Sequence, residues 1–187
     1  MRLAERGTPG RKLRGRIAAI AIGSALFLSL LVRSLSTQAE PLPKPSGGEI
    51  ILTISGAIAN SNGDGSVFFD LALLKALPAR QLVTDTPWTK GPHTFTGVPL
   101  ERLMEWVGAS GQTVTANALN DYSVDVPIED GHEHGALVVY LFDGQPMLPS
   151  DRGPVWILYP FSNRPETRSE TFYQRAVWNL YALTVKP

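Results

Sequence analysis

At 187 residues, the chain is long enough for one domain with a sizeable core and too short for two ordinary ones. With 43% hydrophobic and 18% charged residues it has the composition of a globular protein, neither disordered nor fibrous. The formal net charge of zero hides a segregation: residues 1–39 hold seven of the 17 basic residues and one acid, leaving ten bases against sixteen acids from Glu40 onward, a net of −6. Such an acidic domain is not drawn to nucleic acid or to anionic membrane surfaces.

In chain order, the first feature is a basic stretch ending at Arg16, followed by the apolar run "IAAIAIGSALFLSLLV" from Ile17 to Val32. Thr37 and Ala39 are small residues suitably placed for cleavage after Ala39, the layout of a secretory signal peptide. The alternative is an uncleaved membrane anchor, although the run is just short of the roughly 17–25 residues a spanning helix needs. Both readings predict an exported, periplasmic domain. The chain contains no cysteine, so disulfides, thiolate nucleophiles and thiolate metal sites are excluded.

"EPLPKPSGG", residues 40–48, reads as a Pro/Gly linker, with the folded domain spanning 49–187. "EIILTISGAI" reads as a buried strand and "NSNGDG" as a turn. The turn also matches the opening of a calcium loop, but Leu71 stands where the bidentate Glu belongs. "FFDLALLKALP" predicts a short helix with Asp70 as N-cap and Pro78 as stop. "RQLVTDT" and "HTFTGV" are strands flanking "PWTKGP". In "PLERLMEWVGA", Leu100, Leu103, Met104 and Val107 fall on one helical face, with Glu101 and Glu105 on the solvated side. "QTVTANAL", "YSVDVPI", the Asp143-Gly144 hairpin "ALVVYLFDGQPML", "GPVWILYPF" and "AVWNLYALTV" complete the strands. The fold class is α+β, mostly β, with about eight strands and two short helices and without the βαβ rhythm of a doubly wound sheet.

Two groups of residues are candidates for chemistry. "IEDGHEHG" places His132 and His134 two apart; in an extended segment both rings share a face and suit Zn²⁺ or Cu²⁺, while a solvated loop explains the same letters. The aromatics Trp88, Tyr122, Trp156, Tyr159, Phe161, Tyr173, Trp178 and Tyr181, with His93, lie at strand ends or in turns, near Asn120, Asp121, Arg152 and Arg164. They read either as a β-domain core with polar tips or as the walls of a ligand cleft. No G-x-S-x-G, P-loop or H-E-x-x-H motif is present.

From residue 49 onward the domain resembles the oxidoreductase molybdopterin-binding family, with its sulfite-oxidase-like fold. The segments that carry the resemblance are "FDLALLKALP", "PWTKGPHTFTGVPLERLM", "NDYSVDVPIED", "YLFDGQPMLPSDRGPVWILYP" and "VWNLYALTV". The family implies a metal-binding cysteine shortly before the Trp; the fourth residue back from Trp88 is Thr84, next to Asp85. A neutral hydroxyl does not replace a thiolate on a high-valent metal. The expectation is therefore a short, non-catalytic member with no cofactor, whose pocket draws on Thr84, Asp85, Trp88, His93, Tyr122, Arg152 and Arg164. It would bind a small molecule, or a membrane sensor or redox partner protein. The alternative is a molybdopterin oxidoreductase holding its cofactor through dithiolene and phosphate, with Arg152, Arg164 and Arg168 facing the phosphate.

Overall fold

The computed structural model describes residues 42–187; the expected signal peptide or anchor lies outside the described residues. Two five-stranded sheets make up the domain. The first has the order β2-β1-β10-β5-β6, built from β1 (Leu52–Gly56), β2 (Val67–Phe69), β5 (Thr113–Ala118), β6 (Ser123–Pro127) and β10 (Leu180–Val185). Within it β1 and β10 pair in parallel, so the chain's closing strand sits beside its opening one, and the remaining pairs are antiparallel. The second has the order β3-β4-β7-β8, built from β3 (Arg80–Thr84), β4 (His93–Pro99), β7 (Leu137–Phe142) and β8 (Gln145–Pro146), with β9 (Trp156–Leu158) also paired to β7. A bridge between Val155 and Leu180 joins the β9 and β10 ends of the two sheets.

Among the described residues four α-helices accompany the strands: α1 (Leu71–Ala76), α2 (Leu100–Val107), α3 (Asp130–Glu133) and α4 (Glu170–Arg175). The class is α+β and mostly β, with ten strands and four helices where sequence periodicity marks about eight and two. The elements the sequence does not mark are short: β2 has three residues, and α3 and α4 have four and six. Pieces that short complete no periodic pattern and form because tertiary contacts hold them.

The longer elements follow their local chemistry. Asp70 caps α1 by accepting from the Leu73 amide at 2.8 Å, and its other oxygen accepts from the Ser46 amide and hydroxyl and the Gly48 amide. Those amides hold its carboxyl below the ordinary carboxylate range, Leu73 first among them. They also fasten the Pro/Gly segment onto the domain. In α2, Leu100, Leu103, Met104 and Val107 are all buried, and Gly108 ends the helix in the left-handed conformation, φ 67°. Gly97 sits at a register shift between β4 and β7, where a Cβ would lie 2.5 Å from the Val138 carbonyl oxygen, so only glycine lets the strands approach there.

The core runs between the sheets and is led by Trp156, Tyr159, Phe69, Phe95 and Phe161, all fully buried. The "NSNGDG" segment is a polar turn: Asn62 Oδ1 accepts from the Phe68 amide, and its Nδ2 donates to the Phe68 and Pro43 carbonyls. No described helix is long and apolar enough to cross a membrane.

Candidate functional site

The end of β3 and the loop after it carry two neighbouring arrangements of opposite character. The first begins at Thr84, which is fully buried. Its hydroxyl accepts from the Ser162 amide at 2.9 Å and donates to the Asp85 carbonyl at 2.9 Å. The Ser162 hydroxyl accepts from the Asp85 amide at 2.9 Å and donates to Asp85 Oδ1. Arg168 closes the set: its Nη2 lies 2.8 Å from each Asp85 carboxylate oxygen, while its Nε donates to the Phe161 carbonyl. The Ser162 hydroxyl and then the Arg168 guanidinium hold the Asp85 carboxyl below its ordinary range. The Thr84 and Ser162 hydroxyls and both Asp85 oxygens have protein partners, while Asp85 and Arg168 keep contact with solvent.

The second arrangement opens at Trp88. A cleft of about 390 Å³ is lined by Pro87, Trp88, Asn120, Tyr122, Glu170, Tyr173, Gln174, Ala176, Val177 and Trp178. It lies between the β5–β6 turn, where Asp121 adopts φ 63°, and α4 with the segment leading into β10. Trp88 is half-buried and meets Trp156, Phe161 and Tyr173 edge-on, at centroid distances of 5.8, 6.1 and 6.0 Å. Tyr122 and Trp178 are exposed at 41% and 36%, and the Tyr122 hydroxyl donates to the Gln174 carbonyl at 3.0 Å. The lining is mostly apolar with a few polar groups, the usual make-up of a small-molecule pocket.

Of the residues the sequence singles out, the structure unites Trp88 and Tyr122 in this cleft, and Asn120, Tyr173 and Trp178 join them. Thr84 and Asp85 belong to the closed cluster. Arg152 donates to the Trp88 carbonyl at 2.6 Å and pairs with Asp151, outside the lining. Arg164 donates to the Glu133 carbonyl. His93 pairs with Asp143 at 2.8 Å, donates from Nε2 to the Lys90 carbonyl at 3.0 Å, and packs on Phe142. Trp156, Tyr159 and Phe161 are core.

His132 and His134 are not brought together. Residues 130–133 form α3 instead of an extended segment, and residues two apart on a helix point roughly 200° apart. His132 is exposed, whereas His134 packs against Phe172 at 4.6 Å with its Nδ1 buried and without a partner. Among the described residues, no group of three or more His, Asp or Glu is arranged to hold a metal ion. α3 instead anchors a buried pair. Asp130, 2% exposed, accepts from the Tyr159 hydroxyl at 2.7 Å and from Arg175 at 3.1 Å. Burial, and then the neighbouring Asp130 charge, push the Tyr159 phenol well above its ordinary value. Glu101, placed on the solvated helix face by its spacing, is half-buried with Oε2 against Gly131 and without a partner.

Ser162, Glu170 and Gln174 are site residues with no sequence motif of their own. A trace of α4 is visible in "SETFYQRA", where Ser169 precedes an acid and Phe172 and Ala176 fall four apart on the buried side. A second groove, of about 530 Å³, runs along Leu77, Arg80, Val98, Pro99, Arg102 and Trp106 on another part of the surface.

The comparisons with known proteins bear on the fold and the family. Residues 73–162 match the family model described as oxidoreductase molybdopterin binding domain. The match covers just under half of the chain and identifies those residues as similar to that family's domain. No curated protein matches it. Among solved structures it is similar to the sulfane dehydrogenase SoxCD from Paracoccus pantotrophus, with a TM-score of 0.53 and 14% identity over 73% of this chain. The match spans 38% of that protein's chain, and at this identity it speaks to the fold alone. The family match makes molybdopterin the cofactor to be tested against the donors present. They do not fit it. Thr84 offers a neutral hydroxyl already engaged as donor and acceptor, and Arg152, Arg164 and Arg168, the candidates for the phosphate, each donate to protein oxygens. The cleft lining holds a carboxylate and no cation, a poor match for an anionic phosphate.

Proposed function

We propose that this is an exported, non-catalytic derivative of the molybdopterin-binding domain that binds a small molecule in the cleft beside Trp88. One contrast carries the reading. Where the family resemblance expects a thiolate, Thr84 is closed off by Ser162, Asp85 and Arg168. Four residues further on, Trp88 and Tyr122 line an open, largely aromatic cleft. The fold has kept a pocket, and the group that would make it redox-active is absent from the sequence, which has no cysteine. The basic and apolar N-terminal stretch supports a periplasmic location, with the domain passing ligand occupancy to a membrane sensor or redox partner protein.

The family match favours a second reading, a molybdopterin oxidoreductase that holds its cofactor through dithiolene and phosphate. One measurement separates the two. Protein purified from its own host is assayed for molybdenum by mass spectrometry and for oxidised-pterin fluorescence. The binding reading expects neither; near-stoichiometric molybdenum with pterin overturns it.

A further inference from the structure

The cleft's lining has a chemical bias that narrows the ligand, and the following argument rests on the binding reading above. Four rings, Trp88, Tyr122, Tyr173 and Trp178, contribute to its walls. Trp88 and Tyr173 stand nearly perpendicular, 84° apart, and the hydrogen bond from Tyr122 to the Gln174 carbonyl fixes one ring against α4. Aromatic faces are electronegative and attract cations held over them.

The only charged residue in the lining is Glu170. Gln174 donates to its Oε1 at 2.9 Å, and Oε2 has no protein partner among the described residues. The neighbouring basic groups are turned elsewhere. Arg175, on the same helix, points to Asp130 and lies over Phe172, and Arg152 is shared between Asp151 and the Trp88 carbonyl. The pocket is thus negative in two ways, by ring faces and by a carboxylate, within a domain whose residues from Glu40 onward sum to −6.

We propose that the cleft binds a small organic cation, an alkyl- or quaternary ammonium group, seated among Trp88, Tyr122, Tyr173 and Trp178 with Glu170 as its counter-charge. The volume of about 390 Å³ is at the small end of ligand pockets and has room for a trimethylammonium head group together with the chain it is attached to. A quaternary head carries its charge without hydrogen-bond donors, so rings satisfy it better than the sparse polar groups would satisfy a sugar.

The test compares two probes of the same shape and different charge, choline and 3,3-dimethyl-1-butanol, titrated into protein purified from its host. Tryptophan fluorescence and calorimetry report binding. The proposal expects choline to bind saturably and at least about tenfold more tightly than the neutral isostere, the size of a partly desolvated cation–π and charge interaction. Glu170→Gln is expected to weaken choline about fivefold and leave the isostere unmoved. Equal affinity for the two probes overturns the proposal, as does a neutral methyl glucoside binding more tightly than choline. Absence of choline binding at about 10 mM also overturns it, being weaker than any specific site of this size. The molybdenum assay reports separately on the underlying reading: a metal-free protein that ignores choline refutes the cation and leaves the non-catalytic assignment standing.

Discussion

Thr84 and Trp88 are four residues apart and lie in environments that differ in one decisive respect. Around Thr84 the side-chain hydroxyls and the Asp85 carboxylate meet protein partners, the carboxylate receiving the Ser162 hydroxyl and Nη2 of Arg168. Around Trp88 the protein leaves its partners incomplete: Tyr122 and Trp178 expose a large share of their rings, and Glu170 keeps an oxygen free of protein donors. A saturated polar cluster stabilises a fold and offers a ligand little, because any newcomer must displace bonds already made. An unsaturated, ring-lined cleft contributes less to the fold and has capacity to spare. The proposed function places binding along the chain from the position a metal ligand would occupy, at the aromatic wall beside it.

The substitution with the largest expected effect, Trp88→Ala, acts on both regions. Trp88 shares its ring with the core through Trp156 and Phe161 and with the cleft through Tyr173. Its removal is expected to cost about 3 kcal/mol by urea unfolding. A loss under 1 kcal/mol would mean that Trp88 is a binding residue only, and that the cleft is less tied to the core than the packing indicates.

Thr84→Val tests the closed region by itself. The shape is kept, and the Ser162 amide loses its acceptor, the hydroxyl of the fully buried Thr84. The expected cost is about 1–3 kcal/mol, with ligand binding in the cleft unchanged. A neutral substitution would show that the hydroxyl merely occupies the thiolate position.

Asp85→Asn addresses the same cluster through pH. The Asp85 carboxyl sits below its unfolded-state value, through Ser162 first and Arg168 second. A depressed carboxyl contributes stability that is present above the unfolded pKa of about 3.9 and is lost as pH falls through the folded value. The stability gap between the wild type and Asp85→Asn is therefore expected to be full at neutral pH and to narrow below about pH 4. A gap that stays constant down to acid unfolding would mean that the Asp85 charge takes no part in the cluster's stability.

What the sequence reveals of all this follows the range of the interactions. The α2 stripe, the Asp70 cap and the Asp143-Gly144 turn are written in residues a few positions apart, and each forms where the spacing predicts. The closed cluster joins Thr84 to Ser162, 78 residues away, through groups with no local pattern. α3 and α4 are too short for a periodic stripe, so the histidine pair appears extended in the sequence and folds as a helix turn. The aromatics were visible as candidates for either core or cleft, and only the fold divides them: Trp156, Tyr159 and Phe161 inward, Tyr122 and Trp178 outward, and Trp88 between.

The smallest expected change in stability, for Trp178→Ala, sharpens the comparison most. Trp178 stands at the cleft's edge just before β10, 36% exposed, and has no close ring partner among the described residues. Removing it takes little apolar surface out of the core, so unfolding is expected to shift by no more than about 0.5 kcal/mol. Binding should respond differently, because one of four rings is gone: a loss of about fivefold or more for choline is expected, with the urea midpoint in place. A large destabilisation would instead assign this wall of the cleft to the core and dissolve the distinction between the two regions. A change in affinity with constant stability separates a residue retained for a ligand from one retained for the fold.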